Sequence, residues 1–389
     1  MSTYRYLIVG GGMTADAAVR GIRDHDADGT IGLVGAEAHE PYARPPLTKA
    51  LWKGQEESSV FRGTPEFSVD IHTGRRITGL DLDARIATDD TGAVHSYEKL
   101  LLATGGTPRR LAGNGEGVIY YRTLDDYRHL RSLAGDGVRA AVVGGGFIGS
   151  EIAAALAMNG CAVTIVFPDQ AIGARLFPPE LAVFVNAYYR DKGVTVLAEE
   201  RVEMASSGAV TTKSGRTIEA DVVVAGLGIV PTTELAEQAG LAVDDGILVD
   251  EYGRAGGRDD VFAAGDVARF PVPALGGTRR VEHEDHANTH GRTVGANMAG
   301  ANREYDHLPF FYSDLFELGY EAVGDVDSRL ATVEHWVEPL RKGVVVYVDD
   351  DARARGVLLW DVWGKVDDAR GLILAGTPVV PESLLFFLD

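Results

Sequence analysis

The chain has 389 residues, of which 45% are hydrophobic and 24% charged, a composition typical of a folded protein of two or three domains. Its 57 acidic residues outnumber its 37 basic ones, and the formal net charge of −20 disfavours nucleic acid as a partner because phosphates would be repelled. A solvated acidic surface is the simpler explanation of this charge, and docking of a basic partner is the other.

The start of the chain and its apolar runs bear on location. Met1 is not followed by a basic region and an apolar segment, so we expect neither a secretion signal nor a transit peptide. No apolar run approaches the ~20 residues of a membrane-spanning helix. A cytoplasmic protein with no membrane span is therefore predicted.

Cysteine is used only once, at Cys161, next to the apolar stretch 162–166. One cysteine excludes an internal disulfide, a redox-active cysteine pair and a cysteine metal cluster. We expect Cys161 to be a buried core residue, with a chemical role as the weaker alternative.

The first elements in chain order are a predicted strand over 4–9, a glycine triplet over 10–12, a helix over 13–23 and a strand over 30–34. Glycines between a strand and a helix allow a sharp turn and let a pyrophosphate contact backbone N–H groups at the helix start. Gly10, Gly12 and Ala15 are thus predicted to bind a dinucleotide. Alone, the motif could also be an ordinary glycine-rich turn.

Glu37 follows the second strand of this unit. An acidic side chain at that point accepts hydrogen bonds from the ribose hydroxyls of the adenosine half, so Glu37 is the predicted ribose ligand. A merely solvated glutamate is the alternative, because Glu40 lies nearby and the register cannot be read from the sequence.

The stretch 41–49 is rich in proline, so a rigid, extended segment is predicted before a short helix over 50–53. Arg44 and Lys49 are its charged side chains. A guanidinium can cover an adenine or ribose, and an ammonium near a flavin would favour the anionic reduced ring. Either cation could also be only a surface residue.

A buried strand is predicted from residue 97, and it ends at the small residues Ala103, Thr104 and Gly105. Such a turn is suited to the underside of a bound cofactor. A counterpart over 220–231 follows the second glycine triplet and includes Gly228, as expected of an internal duplication.

The second triplet, Gly144 to Gly146, again follows an apolar run and precedes a predicted helix that contains Ile148 and Gly149. Two such motifs in strand–turn–helix context predict two dinucleotide sites, one for a flavin and one for a nicotinamide. We place Glu151 in the first turn of this helix, where the N-terminus favours a carboxylate. A glutamate matched only to the helix dipole is the alternative.

Asp169 lies at the position that selects the nicotinamide. An acidic group there binds the 2′ and 3′ hydroxyls and repels a 2′-phosphate, so NADH is predicted. Arg175 keeps NADPH open as a second choice.

A strand over 260–264 ends at Gly265 and Asp266. The carboxylate of Asp266 is suited to the hydroxyls of a ribityl chain. It could instead cap a helix over 267–270.

Taken together, these residues resemble the flavin-dependent pyridine-nucleotide reductases with two dinucleotide folds. The resemblance covers essentially the whole chain and rests on the motifs at 41–49, 103–105, 144–151 and 264–266. Within that family the chain most resembles apoptosis-inducing factor and its bacterial relatives, with the oxygenase-coupled ferredoxin and rubredoxin reductases as a sibling group.

The later part of the chain separates the two groups. His283 stands where ferredoxin-type members usually have tryptophan, and the stretches 165–169, 311–324 and 342–360 also resemble the apoptosis-factor branch. Tyr312 departs from it, since a tryptophan is usual there. The sequence given shows neither the mitochondrial leader nor the long acidic C-terminal insertion of that branch, and its composition does not support a basic DNA-binding surface, so we do not expect a cell-death role.

The resemblance implies that Arg44, Lys49, Arg109 and Asp266 contact FAD and that His283 lies by the isoalloxazine. It places Glu151 with Lys49 near the flavin N5 and the nicotinamide, where the carboxylate can also pair with the Lys49 ammonium. His283 could instead be an ordinary core or loop histidine. The predicted catalytic residues are Lys49, Glu151 and His283. The predicted cofactor ligands are Gly10, Gly12, Ala15, Glu37, Arg44, Lys49, Ala103, Thr104, Gly105, Arg109, Gly144, Gly146, Ile148, Gly149, Glu151, Asp169, Gly228, Gly265, Asp266, Glu282, His283 and Tyr312.

A metal site is not predicted. His283 and His286 form a His-x-x-His motif beside acidic residues, but nothing else in the chain supports a metal.

The predicted fold is α/β, with two Rossmann-like dinucleotide-binding domains and a C-terminal α+β domain. The FAD domain comprises residues 1–112 and 245–307, the NAD(P)H domain 113–244, and the C-terminal domain 308–389.

The predicted function is that of an FAD-dependent NADH oxidoreductase, in which hydride passes from NADH to flavin N5. A ferredoxin, a quinone or oxygen would accept the electrons, and the protein would be a monomer or a homodimer, with assembly open to redox control. The alternatives are a redox-sensing interaction protein with a long-lived charge-transfer complex, and a structural protein with vestigial nucleotide folds.

Overall fold

The computed structural model describes residues 2–112 and 115–388. The α-helices are α1 Met13–Arg23, α2 Leu124–Leu133, α3 Phe147–Met158, α4 Pro179–Asp191, α5 Glu234–Gln238, α6 Glu284–Met298 and α7 Val366–Ala375. Short 3-10 helices are formed by Pro45–Leu47, Ala50–Lys53, Glu57–Val60, Thr64–Phe67, Gly265–Val267 and Pro381–Phe387.

The strands in chain order are β1 Ser2–Val9, β2 Ile31–Val34, β3 Val69–His72, β4 Ile77–Asp81, β5 Ile86–Asp89, β6 Val94–Leu102, β7 Gly106–Pro108, β8 Ile119–Tyr120, β9 Arg139–Val143, β10 Ala162–Val166, β11 Thr195–Leu197, β12 Val202–Ala205, β13 Ala209–Thr212, β14 Thr217–Glu219, β15 Val222–Ala225, β16 Ile229–Pro231, β17 Ile247–Leu248, β18 Val261–Ala263, β19 Ala268–Pro271, β20 Thr278–Arg280, β21 Phe310–Leu315, β22 Leu318–Gly324, β23 Ala331–Glu338, β24 Lys342–Val348 and β25 Ala354–Trp360.

The chain forms two compact units. The first takes the chain up to Ala43 together with Glu56–Thr107 and Val230–Pro309. The second takes Arg44–Gln55, Pro108–Ile229 and the chain from Phe310 onward. The predicted domain limits stay a prediction, and three of those limits, Met1, Gly113 and Asp389, lie outside the described residues.

The first unit is built on a sheet with the strand order β3-β2-β1-β6-β5-β4, and β18 also pairs with β6. Strands β1, β2, β3, β6 and β18 run parallel, whereas β4 and β5 form an antiparallel extension. Central strands buried on both faces need continuous apolar sequence, and the second half of β1 is such a run. A smaller sheet has the order β17-β19-β20.

Helices α1 and α6 cover this sheet and pack closely together through small residues. A Cβ on Gly291 would lie 2.5 Å from the carbonyl oxygen of Thr14, and one on Gly295 would lie 2.1 Å from that of Ala18. Only glycine lets the two backbones approach this closely. The contact fixes α1, and with it the glycine turn that precedes α1.

The second unit repeats the pattern with a parallel sheet in the order β11-β10-β9-β15-β8. Strand β15 lies beside β9 as β6 lies beside β1 in the first unit. This correspondence is the internal duplication that the sequence predicts. A small antiparallel sheet, β12-β13-β14, is attached to it.

The C-terminal part of the second unit is an antiparallel sheet with the order β21-β22-β25-β24-β23, packed by α7. Its core is aromatic, with Trp360 stacked on Tyr320 and both rings against Phe177. The two Rossmann-like sheets and this α+β part confirm the predicted fold class.

The observed limits of some helices and strands differ from the predicted limits, and others agree with them. The first strand begins at Ser2 instead of residue 4, and the second begins at Ile31 instead of residue 30. The helix over 13–23 and the short helix over 50–53 have the predicted limits, the latter as a 3-10 helix. Cys161 is buried and directly precedes β10, and burial raises the pKa of its thiol.

Two interpretations are wrong. No helix covers 267–270, because Asp266 lies inside the 3-10 helix Gly265–Val267 and β19 follows it. Glu151 is the fifth residue of α3 and lies beyond its first turn, which contains no acidic residue. The helix dipole therefore does not explain Glu151, and the explanation has to come from its partners.

Candidate functional site

The first glycine turn is shaped by the strand next to it. Gly10 has φ +132°, and a Cβ there would lie 2.1 Å from the carbonyl oxygen of Ala103, at the end of β6. Gly12 differs, because a Cβ on it would meet nothing within 4 Å. Gly10 is thus needed for the turn itself, whereas Gly12 faces open space at the start of α1.

The second glycine turn has the same division of roles. Gly144 has φ +115°, and its Cβ would lie 2.3 Å from the carbonyl oxygen of Gly226. A Cβ on Gly149 would lie 1.9 Å from the oxygen of Gly144, while one on Gly146 would meet nothing within 4 Å. Gly226 was not predicted as a site residue, although it lies in the closing strand that the sequence singles out.

The helices that follow the two turns begin without a side-chain cap. Gly12 precedes α1 and Gly146 precedes α3, and neither position supplies a capping side chain. By contrast, Thr123 and Asp126 form a full capping box at the start of α2. A positive helix end without a side-chain cap, and with open space where a Cβ on its glycine would lie, fits the pyrophosphate of a dinucleotide. The residues present therefore fit two bound dinucleotides.

Four further candidates belong to the first unit. The hydroxyl of Tyr42 donates a short hydrogen bond to Oε2 of Glu37, the predicted ribose ligand. Thr104 donates from its hydroxyl to the carbonyl of Thr232 at 2.7 Å. Ala15 is fully buried in α1, and Gly105 adopts a positive φ at the predicted turn.

Gly265 has φ +73°, and a Cβ there would lie 2.1 Å from Oγ1 of Thr14. Its backbone N–H donates to Nδ1 of the buried His290 at 3.3 Å. These contacts fix the turn that presents Asp266, and they tie it to both α1 and α6.

His283 directly precedes α6 and Glu282 precedes His283. Burial lowers the pKa of His283 to about 4, although the charges of Asp266 and Asp285 act in the opposite direction. His283 is therefore neutral near pH 7 and can serve as a hydrogen-bonding group but not as a cation. Glu282 is exposed and pairs with Arg280 at 2.6 Å.

A buried aromatic cluster on α6 accounts for the two other histidines of this segment. His286 stacks on Phe270 with ring centroids 4.5 Å apart, and His290 stacks on Tyr305 at the same spacing. Burial lowers the pKa of both histidines, that of His290 to about 3. Within residues 2–112 and 115–388, no group of three His, Cys, Asp or Glu side chains is arranged to hold a metal ion.

In the second unit, Glu151 is the centre of a buried polar network. Its Oε2 accepts from Nζ of Lys49 at 2.6 Å and from the hydroxyl of Thr48 at 2.5 Å. Its Oε1 accepts from the hydroxyl of Ser313 at 2.6 Å. The side chain of Glu151 is only 5% exposed and that of Lys49 only 12%, so the pair is largely removed from water. The predicted pairing of these two residues is present.

Thr48 and Ser313 were not predicted as site residues. Both stand next to residues that were, since Thr48 precedes Lys49 and Ser313 follows Tyr312. The motifs contained them, but sequence spacing does not show that their hydroxyls converge on one carboxylate.

Three further candidates belong to the second unit. The ring centroid of Tyr312 lies 5.1 Å from Nζ of Lys49, within the range of a cation–π contact. Arg44 donates to the carbonyl of Arg122 at 2.9 Å, while Arg109 has an exposed side chain and a backbone bond to Gly228.

Asp169 follows β10 by three residues, and its carboxylate pairs with Arg175 at 3.4 Å. The residue predicted to favour NADH and the residue predicted to leave NADPH open are thus ion-pair partners. Ile148 is partly buried in the first turn of α3, and Gly228 is exposed with φ +77°.

Comparisons with known proteins agree with this architecture. The family model "Pyridine nucleotide-disulphide oxidoreductase" matches residues 4–291, and "Apoptosis-inducing factor, mitochondrion-associated, C-term" matches 294–341. The single cysteine means that the chain has no disulfide pair of the kind that the first description mentions. No helix among the described residues is long and apolar enough to cross a membrane.

The chain is 34% identical to the anthranilate 1,2-dioxygenase system ferredoxin–NAD(+) reductase component of Burkholderia cepacia, over 99% of this chain and 97% of the relative. It is 33% identical to the mitochondrial apoptosis-inducing factor 1 of Dictyostelium discoideum, over 95% and 78%. Among solved structures, it is similar to putidaredoxin reductase in a covalent complex with putidaredoxin, with a TM-score of 0.90, 29% identity and coverage of 99% and 96%.

These matches confirm the resemblance inferred from the motifs, including its two sub-groups, and FAD and NAD(P)H as the cofactors. The chain belongs to the pyridine nucleotide-disulphide oxidoreductase family and is an FAD-dependent NAD(P)H oxidoreductase.

Proposed function

We propose that this protein oxidises NADH and delivers the electrons to a small iron–sulfur protein of the ferredoxin type. The observation that carries the proposal is the whole-chain match to a ferredoxin–NAD(+) reductase component, together with a TM-score of 0.90 to putidaredoxin reductase in its covalent complex with putidaredoxin. A quinone and oxygen are the other acceptors to be compared.

The first unit supplies the proposed FAD site. Gly12 and the uncapped start of α1 would hold the pyrophosphate, Glu37 the adenosine ribose and Asp266 the ribityl hydroxyls. Neutral His283 would contribute a hydrogen-bonding group without adding charge. Arg44, Lys49 and Arg109 are proposed FAD contacts on the basis of the resemblance alone.

The proposed nicotinamide site lies at the start of α3 in the second unit. Gly146 leaves room for the pyrophosphate, and Asp169 is the proposed ribose ligand that selects NADH over NADPH. FAD and NADH supply the hydride transfer chemistry when bound, and the chain supplies position and electrostatics.

Lys49 and Glu151 have the central electrostatic role in this proposal. An ammonium carries three N–H donors, and among the described residues Glu151 accepts from one of them. Glu151 therefore fixes the position of a buried positive charge while leaving donors for a ligand. A preorganised charge of this kind stabilises negative charge that develops during reaction.

The experiment is an anaerobic titration of the purified protein with NADH, followed by addition of ferredoxin, quinone or air. The expected result is rapid bleaching of the flavin band and reoxidation by ferredoxin that is faster than by quinone or oxygen. Equal or slower reoxidation by ferredoxin would contradict the proposed acceptor.

The alternative that the sequence leaves open is a redox-sensing interaction protein, which would use the same nucleotide sites. In that case NADH would produce a persistent long-wavelength absorbance, and the reduced protein would change its assembly. Oligomeric state and cytoplasmic location stay predictions. Sedimentation with and without NADH would test the former.

A further inference from the structure

We infer that Ser313 is a positioning residue for hydride transfer, which acts by holding the carboxylate of Glu151 in the orientation that places the Lys49 ammonium. This inference rests on the proposed role of the Lys49–Glu151 pair. It assigns a task to a strand of the C-terminal sheet, whose role the sequence leaves open.

The two oxygens of Glu151 are used by different parts of the chain. Oε2 accepts from Lys49 and Thr48, which are neighbours in the segment 44–55, whereas Oε1 accepts from Ser313 on β21. A glutamate carboxylate that accepts hydrogen bonds through only one oxygen can still rotate about the Cγ–Cδ bond. The bond from Ser313 to the second oxygen removes that freedom and fixes the direction in which Oε2 faces Lys49.

The position of Ser313 is itself rigid. Ser313 is fully buried, and on either side of it β21 pairs with β22 in an unbroken antiparallel register. Phe311, two residues before Ser313 on β21, packs edge-on against Phe147 at the start of α3, with ring centroids 5.2 Å apart. Strand β21 is thereby held against the helix that carries Glu151, and the hydroxyl of Ser313 needs no rearrangement to reach Oε1.

The buried surroundings of Glu151 strengthen each hydrogen bond that its carboxylate accepts. Burial, with the charge of Glu151 as a further cause, raises the pKa of Tyr189 and Tyr320 well above the usual range. Both tyrosines are therefore neutral, and Lys49 supplies the positive charge that faces the carboxylate. A hydrogen bond to a buried charge is stronger than one between neutral groups, and losing one donor changes a rate by about tenfold.

The test is a double-mutant cycle on the rate of flavin reduction by NADH, measured in single turnover with the FAD-loaded protein. Ser313→Ala in the wild-type background is expected to slow reduction about tenfold at saturating NADH, with FAD still bound. In the Glu151→Ala background the same change is expected to slow it less than about twofold, because the carboxylate that Ser313 positions is gone.

Two further variants separate hydrogen bonding from packing. Ser313→Cys keeps nearly the same volume with a weak donor and is expected to be slowed like Ser313→Ala. Thr212→Val removes another fully buried hydroxyl, in the small sheet of the same unit, and is expected to leave the rate unchanged.

Equal slowing by Ser313→Ala in both backgrounds would overturn the inference, since a purely structural role is additive. The inference would also be overturned if NADH reduced the flavin of the Ser313→Cys variant at the wild-type rate. If Glu151→Ala alone reduces at the wild-type rate, the proposed role of the Lys49–Glu151 pair fails first, and this outcome is distinct from additivity.

Discussion

Nζ of Lys49 lies 2.6 Å from Oε2 of Glu151 in a largely buried ion pair, although the two residues are separated by 102 positions in the chain. Lys49 follows a proline-rich turn and Glu151 lies on the helix after the second glycine triplet. Removing one partner of such a pair leaves an uncompensated buried charge, which is costly.

Glu151→Ala is expected to slow flavin reduction by NADH at least tenfold, or to weaken NADH binding by a similar factor, while FAD remains bound. It should also lower the free energy of unfolding by about 3 kcal/mol, because the Lys49 ammonium loses its partner. Stopped-flow reduction and urea unfolding measure the two effects. The control is Glu317→Ala, since Glu317 pairs with Lys192 at 2.6 Å but is exposed, and wild-type behaviour of Glu151→Ala would contradict the assignment.

Substitutions of Gly10 and Gly12 in the first turn are expected to have opposite effects on stability and on FAD binding. Gly12→Ala adds a methyl group to open space, so stability of the apoprotein should change by less than about 1 kcal/mol while FAD affinity falls, and the preparation should be pale. Gly10→Ala places a Cβ against the Ala103 carbonyl at a positive φ, so it should destabilise the fold by about 3 kcal/mol or more. Flavin content and unfolding curves of the two variants distinguish them, and normal FAD binding by Gly12→Ala would refute the placement.

Gly146→Ala is the corresponding change in the second turn, where a Cβ again meets nothing within 4 Å. The purified variant should be yellow with a full complement of FAD, but its Kd for NADH should rise at least tenfold. Loss of FAD from this variant would mean that the two nucleotide sites are assigned the wrong way round. Absorbance spectra and NADH titrations give both readouts.

Asp169→Asn is expected to reduce the preference for NADH over NADPH, because a neutral amide no longer repels a 2′-phosphate. The change also releases Arg175 from its ion pair, which favours NADPH further. The ratio of kcat/KM for the two nucleotides should fall about tenfold. An unchanged ratio, or a wild-type ratio below one, would remove Asp169 from the selectivity site.

The buried carboxylate of Asp16 links stability to pH. Burial tends to raise the pKa of Asp16, but hydrogen bonds from Arg20, Arg62 and Thr64 outweigh it and lower the pKa below 3.8. The stabilisation is therefore fully present well above pH 3.8, the unfolded-state pKa, and is lost as the pH falls through the lower folded-state value.

Asp16→Asn should accordingly lower the free energy of unfolding by about 3 kcal/mol at pH 7, and the difference from wild type should shrink below pH 3.8. Urea unfolding across this pH range checks both statements. Asp28→Asn, at an exposed position, is the matched control. A difference that stays constant on acidification would show that the charge of Asp16 is not responsible.

Much of the fold could be predicted because the signals are local. The helix over 13–23 has its predicted limits, and the strand–turn–helix reading of both glycine triplets is confirmed, since apolar runs and glycines act on neighbouring residues. The placement of Glu151 in a first helical turn was wrong, because a helix start is set by backbone hydrogen bonds that shift by one or two residues without a change of pattern.

Local sequence patterns were enough to identify the two glycine turns, the duplicated closing strands and the family, because each depends on residues that are close together in the chain. The pairing of Lys49 with Glu151 was predicted through the resemblance, but only the folded structure shows that the hydroxyls of Thr48 and Ser313 also bind the Glu151 carboxylate. Thr48, Lys49 and Ser313 come from segments far from Glu151 in sequence, and a hydrogen bond of 2.6 Å depends on how β21 and the 44–55 segment pack against α3. Such packing is a property of the folded chain, and no spacing between residues encodes it directly.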